Sequence, residues 1–236
     1  MARRELQEIN AGSMADIAFL LLIFFLVTTT MEVDAGIGRT LPLKRDLPPI
    51  DVKIRERDLL EIWANNNDEL LVEGKMIEVE ELEEIVIDFY TANIKGETNP
   101  DMPAYSKITI PKCQQEIAKL TAKVEENPDD LLLKNELDKW ETKLKLCEEL
   151  PTKQYDEIYK MSLIRLENQS KTSYGLYIQI QDVLKKVVND LRAEKCEEIW
   201  GKNYYSLRED DPDDQEIIKK LRILVPERIV EAKIKI

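Results

Sequence analysis

The sequence of 236 residues contains no histidine. This absence excludes Ser-His-Asp and Cys-His catalysis, imidazole zinc ligands and the usual proton shuttle near neutral pH. Any proton chemistry must therefore use carboxylates. No nucleophile motif stands out either, so we expect no enzyme activity, no cofactor and no metal.

Positive charge is also in deficit, with 34 Lys and Arg against 47 Asp and Glu and a formal net charge of -13. A surface of that sign repels phosphate backbones and anionic headgroups. Nucleic acid is therefore not an expected partner. The hydrophobic fraction of 43% is enough to build a folded core.

Cysteine is scarce, and the three present, Cys113, Cys147 and Cys196, form no CxxC pair. Because their number is odd, at most one internal disulfide can form. Cysteine usage leaves the compartment open.

Residues 9–31 form the one long apolar run, which contains a single charge, Asp16. A helix of this length rises roughly 34 Å, enough to cross a hydrocarbon core of about 30 Å. Residues 17–31 alone would reach only about 22 Å, which is too short. The sequence therefore predicts a transmembrane helix over 9–31, with Asp16 about one third of the way in.

A carboxylate at that depth costs at least about 2.5 kcal/mol, so Asp16 should face protein or water, pair with a partner or become protonated. Two other interpretations are a charge at the membrane edge and a cleaved signal peptide. The length of the span counts against the first. The second lacks a convincing small-residue cleavage site around 33–35. We therefore predict that Asp16 has a functional role inside the membrane.

The run from Asp16 to Thr30 resembles the transmembrane signature of the ExbD/TolR family of biopolymer transport proteins. In that family an Asp near the start of the only membrane helix precedes a Leu, Ile and Phe run that ends in small hydroxyl residues. Many members have a Thr-Pro pair before the Asp, whereas residues 11–14 here are Ala-Gly-Ser-Met, so the chain is more similar to the Ser-Met-Ala-Asp variant. The motif residues after Asp16 are Ile17, Phe19, Leu20, Leu21, Leu22, Ile23, Phe24, Phe25, Leu26, Val27, Thr28 and Thr29.

The resemblance implies a proton-channel or motor subunit in which Asp16 carries protons. Its expected partners are an ExbB-like pentamer, a second copy of the chain as a homodimer, and a TonB-like energy transducer serving outer-membrane transport. A TolQ-TolR-like subunit for envelope maintenance and a membrane-anchored structural interaction domain are the alternatives. A flagellar-type stator should carry a peptidoglycan-binding domain, which the sequence does not display.

The resemblance also implies a bacterial inner-membrane location, with the N-terminus cytoplasmic and the C-terminal domain periplasmic. The local charges do not favour this orientation, because Arg3 and Arg4 precede the helix while Arg39, Lys44 and Arg45 follow it. Orientation therefore rests on the resemblance alone.

The chain after the helix is predicted to form a small α+β domain with helices on one face of a mixed sheet. Gly and Pro residues mark a linker, for which transmission of motion and passive tethering are both open. The predicted organisation is a tail (1–8), the membrane helix (9–31), the linker (32–52), a periplasmic ExbD-like domain (53–92 and 157–236) and an inserted antiparallel α-hairpin (93–156).

Periodicity and turn signals predict the individual elements of that domain. We predict that the final strand lies at a sheet edge, where pairing with a second copy would make a dimer. The predicted strands are 59–63, 69–73, 160–166 and 229–236, and the predicted helices are 78–92, 215–221 and a long helix from Thr172 or Ser173 to Trp200, stopped by Gly201.

The hairpin is predicted from two runs of apolar residues with alternating spacings of 3 and 4, separated by the turn signal Asn127-Pro128-Asp129. The turn places Cys113 level with Leu144, one layer from Cys147. A disulfide between Cys113 and Cys147 and a pair of buried thiols are both open, as are a partner surface and a spacer as the role of the hairpin. The two runs are Cys113, Ile117, Leu120 and Val124, and Leu133, Leu137, Trp140, Leu144 and Cys147.

Overall fold

The computed structural model describes residues 11–28, 55–94, 96 and 99–232. The chain divides into two units, residues 1–51 and 52–236. The predicted tail, the predicted linker, Thr29 and the last four residues of the predicted final strand lie outside the described residues.

The first unit contains helix α1, Ala11–Thr28. Apolar side chains occupy every side of this helix, so it lacks the single apolar stripe of a helix that packs on a globular core. The side chains from Met14 to Phe25 are all exposed, and Asp16 is one of them. Within the described part of the chain, no helix qualifies as a candidate membrane span by length and apolar character. The span over 9–31 stays a prediction.

The second unit contains seven strands and five helices in its described residues, which confirms the predicted α+β class. In chain order they are β1 (Leu59–Ala64), β2 (Leu70–Val72), β3 (Lys75–Ile77), α2 (Val79–Thr91), β4 (Tyr105–Thr109), α3 (Ile110–Glu126), α4 (Leu131–Glu149), β5 (Gln154–Ile158), β6 (Leu163–Asn168), α5 (Tyr174–Trp200), α6 (Pro212–Leu224) and β7 (Ile229–Ala232).

Five of the strands form one mixed sheet in the order β3-β2-β1-β6-β7. β2 pairs antiparallel with β1 and β3, whereas β6 runs parallel to both β1 and β7. The parallel pair β1 and β6 places Ile62 opposite Leu166. Among the described residues β7 is an edge strand, as predicted.

One face of this sheet packs on helices α2 and α5. Alternate residues of β1, namely Leu60, Ile62 and Ala64, are buried because successive side chains of a strand point to opposite faces. They share one core cluster with Val86 of α2 and Leu184 of α5. On the opposite face Trp63 is 44% exposed, so the helices cover one side of the sheet.

Helix α5 begins and ends at the predicted residues. Ser173 is the N-cap, and its Oγ accepts a hydrogen bond from the backbone N–H of Leu176 at 3.2 Å. Gly201 ends the helix with a φ of 61°, a left-handed conformation that glycine adopts without a Cβ clash. Local sequence therefore determines both ends of the longest helix in the second unit.

Strand β3, which has three residues, was not among the predicted strands. It follows β2 through a two-residue turn in which Glu73 and Gly74 both have positive φ, 52° and 75°. This is the pattern of a type I′ hairpin turn. In the sequence, Gly74 was the residue that indicated a turn between β2 and β3.

Helices α3 and α4 correspond to the two predicted arms of the hairpin. The side chain of Asp130 caps α4 by accepting from the backbone N–H of Leu132 at 2.8 Å. The antiparallel strands β4 and β5 at the base of these helices were not predicted; they pair from Tyr105 opposite Ile158 to Thr109 opposite Gln154. The helical hairpin is therefore connected at both ends to a small two-stranded sheet.

Candidate functional site

Asp16 lies one third of the way along α1, at the sixth of its 18 residues. Residues three and four positions further along a helix share a face, so Phe19 and Leu20 lie beside the carboxylate. Within the described residues the carboxylate of Asp16 has no hydrogen-bond or ion-pair partner. Asp16 is therefore a single ionisable group on a helix surface that is otherwise apolar.

This arrangement suits reversible protonation. An ionised carboxylate is costly in a hydrocarbon environment, whereas the protonated carboxyl group is much less so. Binding or releasing one proton therefore changes which surroundings the Asp16 face of the helix prefers. Asparagine would keep the shape of the side chain and remove this chemistry.

The predicted motif residues from Ile17 to Thr28 follow Asp16 on α1. The side chains from Ile17 to Phe25 are exposed, and the rings of Phe24 and Phe25 meet edge to face with centroids 5.8 Å apart. Residues 26–28 complete the helix. The roles assigned to these residues stay predictions.

Cys113 and Cys147 meet in the core of the hairpin base. Both are fully buried, and they form a cluster with Ile108, Leu146 and Tyr155. The two thiols are close enough for each to influence the pKa of the other. The Sγ of Cys147 also lies 3.7 Å from the backbone carbonyl oxygen of Ile108. The structure therefore brings together the two cysteines that the sequence paired.

Both cysteines are free thiols in this structure, and so is the buried Cys196. Burial, reinforced by the neighbouring Cys113, raises the pKa of Cys147 to about 12. Burial also raises the pKa of Cys113. A protonated thiol is a poor nucleophile, so this pair is unreactive while it remains covered. The disulfide stays a prediction.

A polar contact that was not predicted from the sequence anchors α4 to α5 and α6. Glu149, at the end of α4, forms an ion pair with the buried Lys220 of α6. The same carboxylate accepts a hydrogen bond from the indole Nε1 of Trp200 at 3.2 Å. Lys145 and Glu216 add an exposed ion pair at 3.0 Å. Separations of 51 to 71 residues hide these partners from any local pattern.

Clusters of ligating side chains are the usual sign of a metal centre. Searched over the described residues, the structure contains no group of three or more His, Cys, Asp and Glu side chains that could hold a metal ion. Of the site residues predicted from the sequence, Asp16, Cys113 and Cys147 are the candidate functional groups.

Comparison with protein-family models shows which family the chain is similar to. The family described as "Biopolymer transport protein ExbD/TolR" matches residues 2–192 of this chain, a range that includes α1, the first three strands and the whole hairpin. No curated protein and no solved structure matches the chain.

Proposed function

Because the chain belongs to the ExbD/TolR family of biopolymer transport proteins, we propose that it is the proton-carrying subunit of an inner-membrane motor that drives transport across the outer membrane. Membership of the family implies an energy-coupling subunit in a membrane complex with ExbB/TolQ-like and TonB/TolA-like partners. The observation that carries the proposal is Asp16, a lone carboxylate on the apolar helix α1.

The proposed topology has residues 9–31 spanning the membrane, with the N-terminus cytoplasmic and residues 53–236 in the periplasm. Helix α1 rises about 27 Å over its described length. A few further residues at its ends would complete a span of about 30 Å. Its exposed apolar side chains are then covered by lipid and by an ExbB-like pentamer.

In the proposed cycle the carboxylate of Asp16 takes a proton from one side of the membrane and becomes neutral. Its face of the helix can then move past apolar surfaces that the ionised group would avoid. Release of the proton to the other side restores the charge. The resulting motion of α1 reaches the folded domain through residues 32–52 and is handed to a TonB-like transducer.

The proposed complex contains two copies of this chain, so that two Asp16 side chains serve the pore. The edge strand β7 is a candidate for contact between the copies, because an edge strand has unpaired backbone N–H and C=O groups. This arrangement would place a continuous sheet beneath the partner that receives the motion.

Replacement of Asp16 tests the proposal directly. Asp16→Asn should abolish energised transport while the complex still assembles, because the side chain keeps its size and loses its proton. Asp16→Glu should retain part of the activity. The matched control is Glu141→Gln, which removes a negative charge from an exposed position on α4. Transport, proton uptake in reconstituted vesicles and co-purification of partners are the three measurements.

The outcomes separate the alternatives. Normal transport and proton uptake in Asp16→Asn would contradict the proposal and favour a structural membrane anchor. Loss of proton uptake with intact substrate uptake but a leaky envelope, measured as detergent sensitivity of the cells, would assign the motor to envelope maintenance of the TolQ-TolR type. Loss of partners from the purified complex would indicate an assembly role for Asp16.

A further inference from the structure

A cavity of about 550 Å³ opens in the second unit. It lies where the end of α2 and the second half of α5 meet the small sheet of β4 and β5. This volume falls within the range of about 300–1,000 Å³ that is typical of ligand sites. The cavity therefore has the size of a binding site.

The deep wall of the cavity is apolar and aromatic. Tyr90 and Tyr105 line it together with aliphatic side chains such as Ile158 and Leu191. The hydroxyl of Tyr105 donates to the backbone carbonyl of Tyr90. The hydroxyl of Tyr90 in turn donates to the carbonyl of Pro226 at 3.0 Å. Because these hydroxyls already have partners in the protein, the tyrosines offer a ligand mainly their rings.

The two tyrosines are also uncharged at neutral pH. Burial raises the pKa of Tyr90 to about 12, and burial together with the nearby carboxylate of Asp156 raises the pKa of Tyr105. Neutral phenol rings have an electron-rich face that attracts cations. The wall therefore favours an apolar group or a cation over an anion.

The rim of the cavity carries net negative charge. Asp156 of β5 is half-buried, and Glu194 and Glu198 of α5 are exposed. Among the described residues that line the cavity, Lys195 is the one cation, and it is paired with Glu198 at 2.5 Å. Within the described residues Asp156 and Glu194 form no ion pair. Two carboxylates therefore remain for a ligand.

One further cation lies near Asp156 along the sheet. Lys107 of β4 is directly opposite Asp156 in the strand register, but it is exposed and does not line the cavity. It forms no ion pair with Asp156 in the described residues. A ligand that carries its own positive charge could therefore reach Asp156 from inside the cavity.

We propose that this cavity binds an alkylammonium group, with the apolar chain of the ligand against Tyr90, Tyr105 and Leu191 and its positive charge beside Asp156 and Glu194. The group could be the lysine side chain of a partner protein or a free amine, since both have the same chemistry. Binding at this cavity would be separate from the proposed motor function and would not depend on Asp16.

Isothermal titration of the full-length chain in detergent with two matched pairs of probes tests this site. n-Hexylammonium is compared with 1-hexanol, and a capped Leu-Lys-Leu peptide with the corresponding Leu-Gln-Leu peptide. Each charged probe should bind at least about tenfold more tightly than its neutral counterpart, because an ion pair beside an apolar wall adds about 1.4 kcal/mol or more to binding.

Substitutions locate the binding. Asp156→Asn should weaken binding of the charged probes at least about fivefold and leave the neutral probes unchanged. Asp138→Asn, on an exposed face of α4, changes the net charge equally and should leave both unchanged. Ala92→Phe adds a ring at the cavity wall and should block all four probes. Circular dichroism melting curves establish whether each variant is folded. If Ala92→Phe is unfolded, the comparison of Asp156→Asn with Asp138→Asn decides whether the probes bind in the cavity.

The affinities of the two charged probes are then compared with each other. If the Leu-Lys-Leu peptide binds more tightly than hexylammonium, the ligand is a partner's lysine side chain; if hexylammonium binds more tightly, the ligand is a free amine. Either result supports the site. Equal binding of charged and neutral probes, equal weakening by Asp156→Asn and Asp138→Asn, or no binding at millimolar concentration would overturn the proposal.

Discussion

Helices α1 and α5 differ in how their apolar side chains are arranged and buried. In α5, which has 27 residues, one stripe that includes Ile180, Leu184 and Val187 is buried in the core of the second unit. In α1, which has 18 residues, apolar side chains point in all directions and those from Met14 to Phe25 remain exposed. The chain itself thus covers α5 and leaves α1 to be covered by something else.

The difference shows why one charge means different things in the two helices. Exposed charges such as Lys186 and Asp190 of α5 stay in water and form ordinary surface contacts. Asp16 lies among apolar side chains whose burial away from water is favourable. Burying these side chains also removes the carboxylate from water. A single carboxylate on α1 therefore says more about function than the many exposed charges on α5.

The largest expected effect is on core packing. Leu184→Ala should lower the free energy of unfolding of the second unit by about 2–5 kcal/mol, because a fully buried side chain is replaced by a void. Guanidinium unfolding followed by tryptophan fluorescence measures it, since Trp63, Trp140 and Trp200 all lie in that unit.

The matched variant in the other helix is Leu21→Ala. Leu21 is 50% exposed, so its truncation should leave the unfolding of the second unit unchanged. A comparable loss of stability in both variants would show that α1 also belongs to the globular core, and the contrast between the two helices would fail.

The next effect concerns the environment of α1. Leu22→Lys should make membrane insertion less favourable by about 3 kcal/mol, because a lysine replaces a leucine near the centre of the proposed span. The measurement is the fraction of full-length chain that resists alkaline extraction from membranes. Tyr174→Lys, at an exposed position of α5, should leave that fraction unchanged. An unchanged fraction in Leu22→Lys would argue against α1 as a membrane span.

The smallest effect tests the N-terminus of α5. Ser173→Ala removes the side-chain acceptor for the N–H of Leu176 and should cost about 1 kcal/mol of unfolding free energy. Ser170→Ala, at an exposed position just before the helix, is the control. Equal midpoints of thermal unfolding in the two variants would mean that packing of α5, and not its cap, determines where the helix begins.

Elements with strong local signals were predicted well. Helix α5, with its cap and its terminal glycine, and the arms of the hairpin follow from short-range spacing that tertiary packing did not override. The two central strands β1 and β6 were also found, although the predicted strand over 160–166 is shifted from the observed Leu163–Asn168. Strand ends depend on cross-strand partners, so they are less well determined by their own residues.

Short strands were missed for a related reason. β3 has three residues and β4 and β5 have five each, and segments this short are hard to separate from loops unless a clear turn signal marks them, as residues 65–68 mark β2. The pairing of β4 with β5 joins residues about 50 positions apart. The cavity is hidden in the same way, because it is formed by segments that become neighbours only on folding.

The sequence by itself determined the apolar run around Asp16, the family motif and the ends of the longest helix, because each depends on residues within a few turns of one another. Only the tertiary structure decided which carboxylates line the cavity, which lysine pairs with Glu149 and that Cys113 and Cys147 share one buried cluster. These features depend on distances between residues far apart in the chain, and such distances exist only after the sheet and helices have packed.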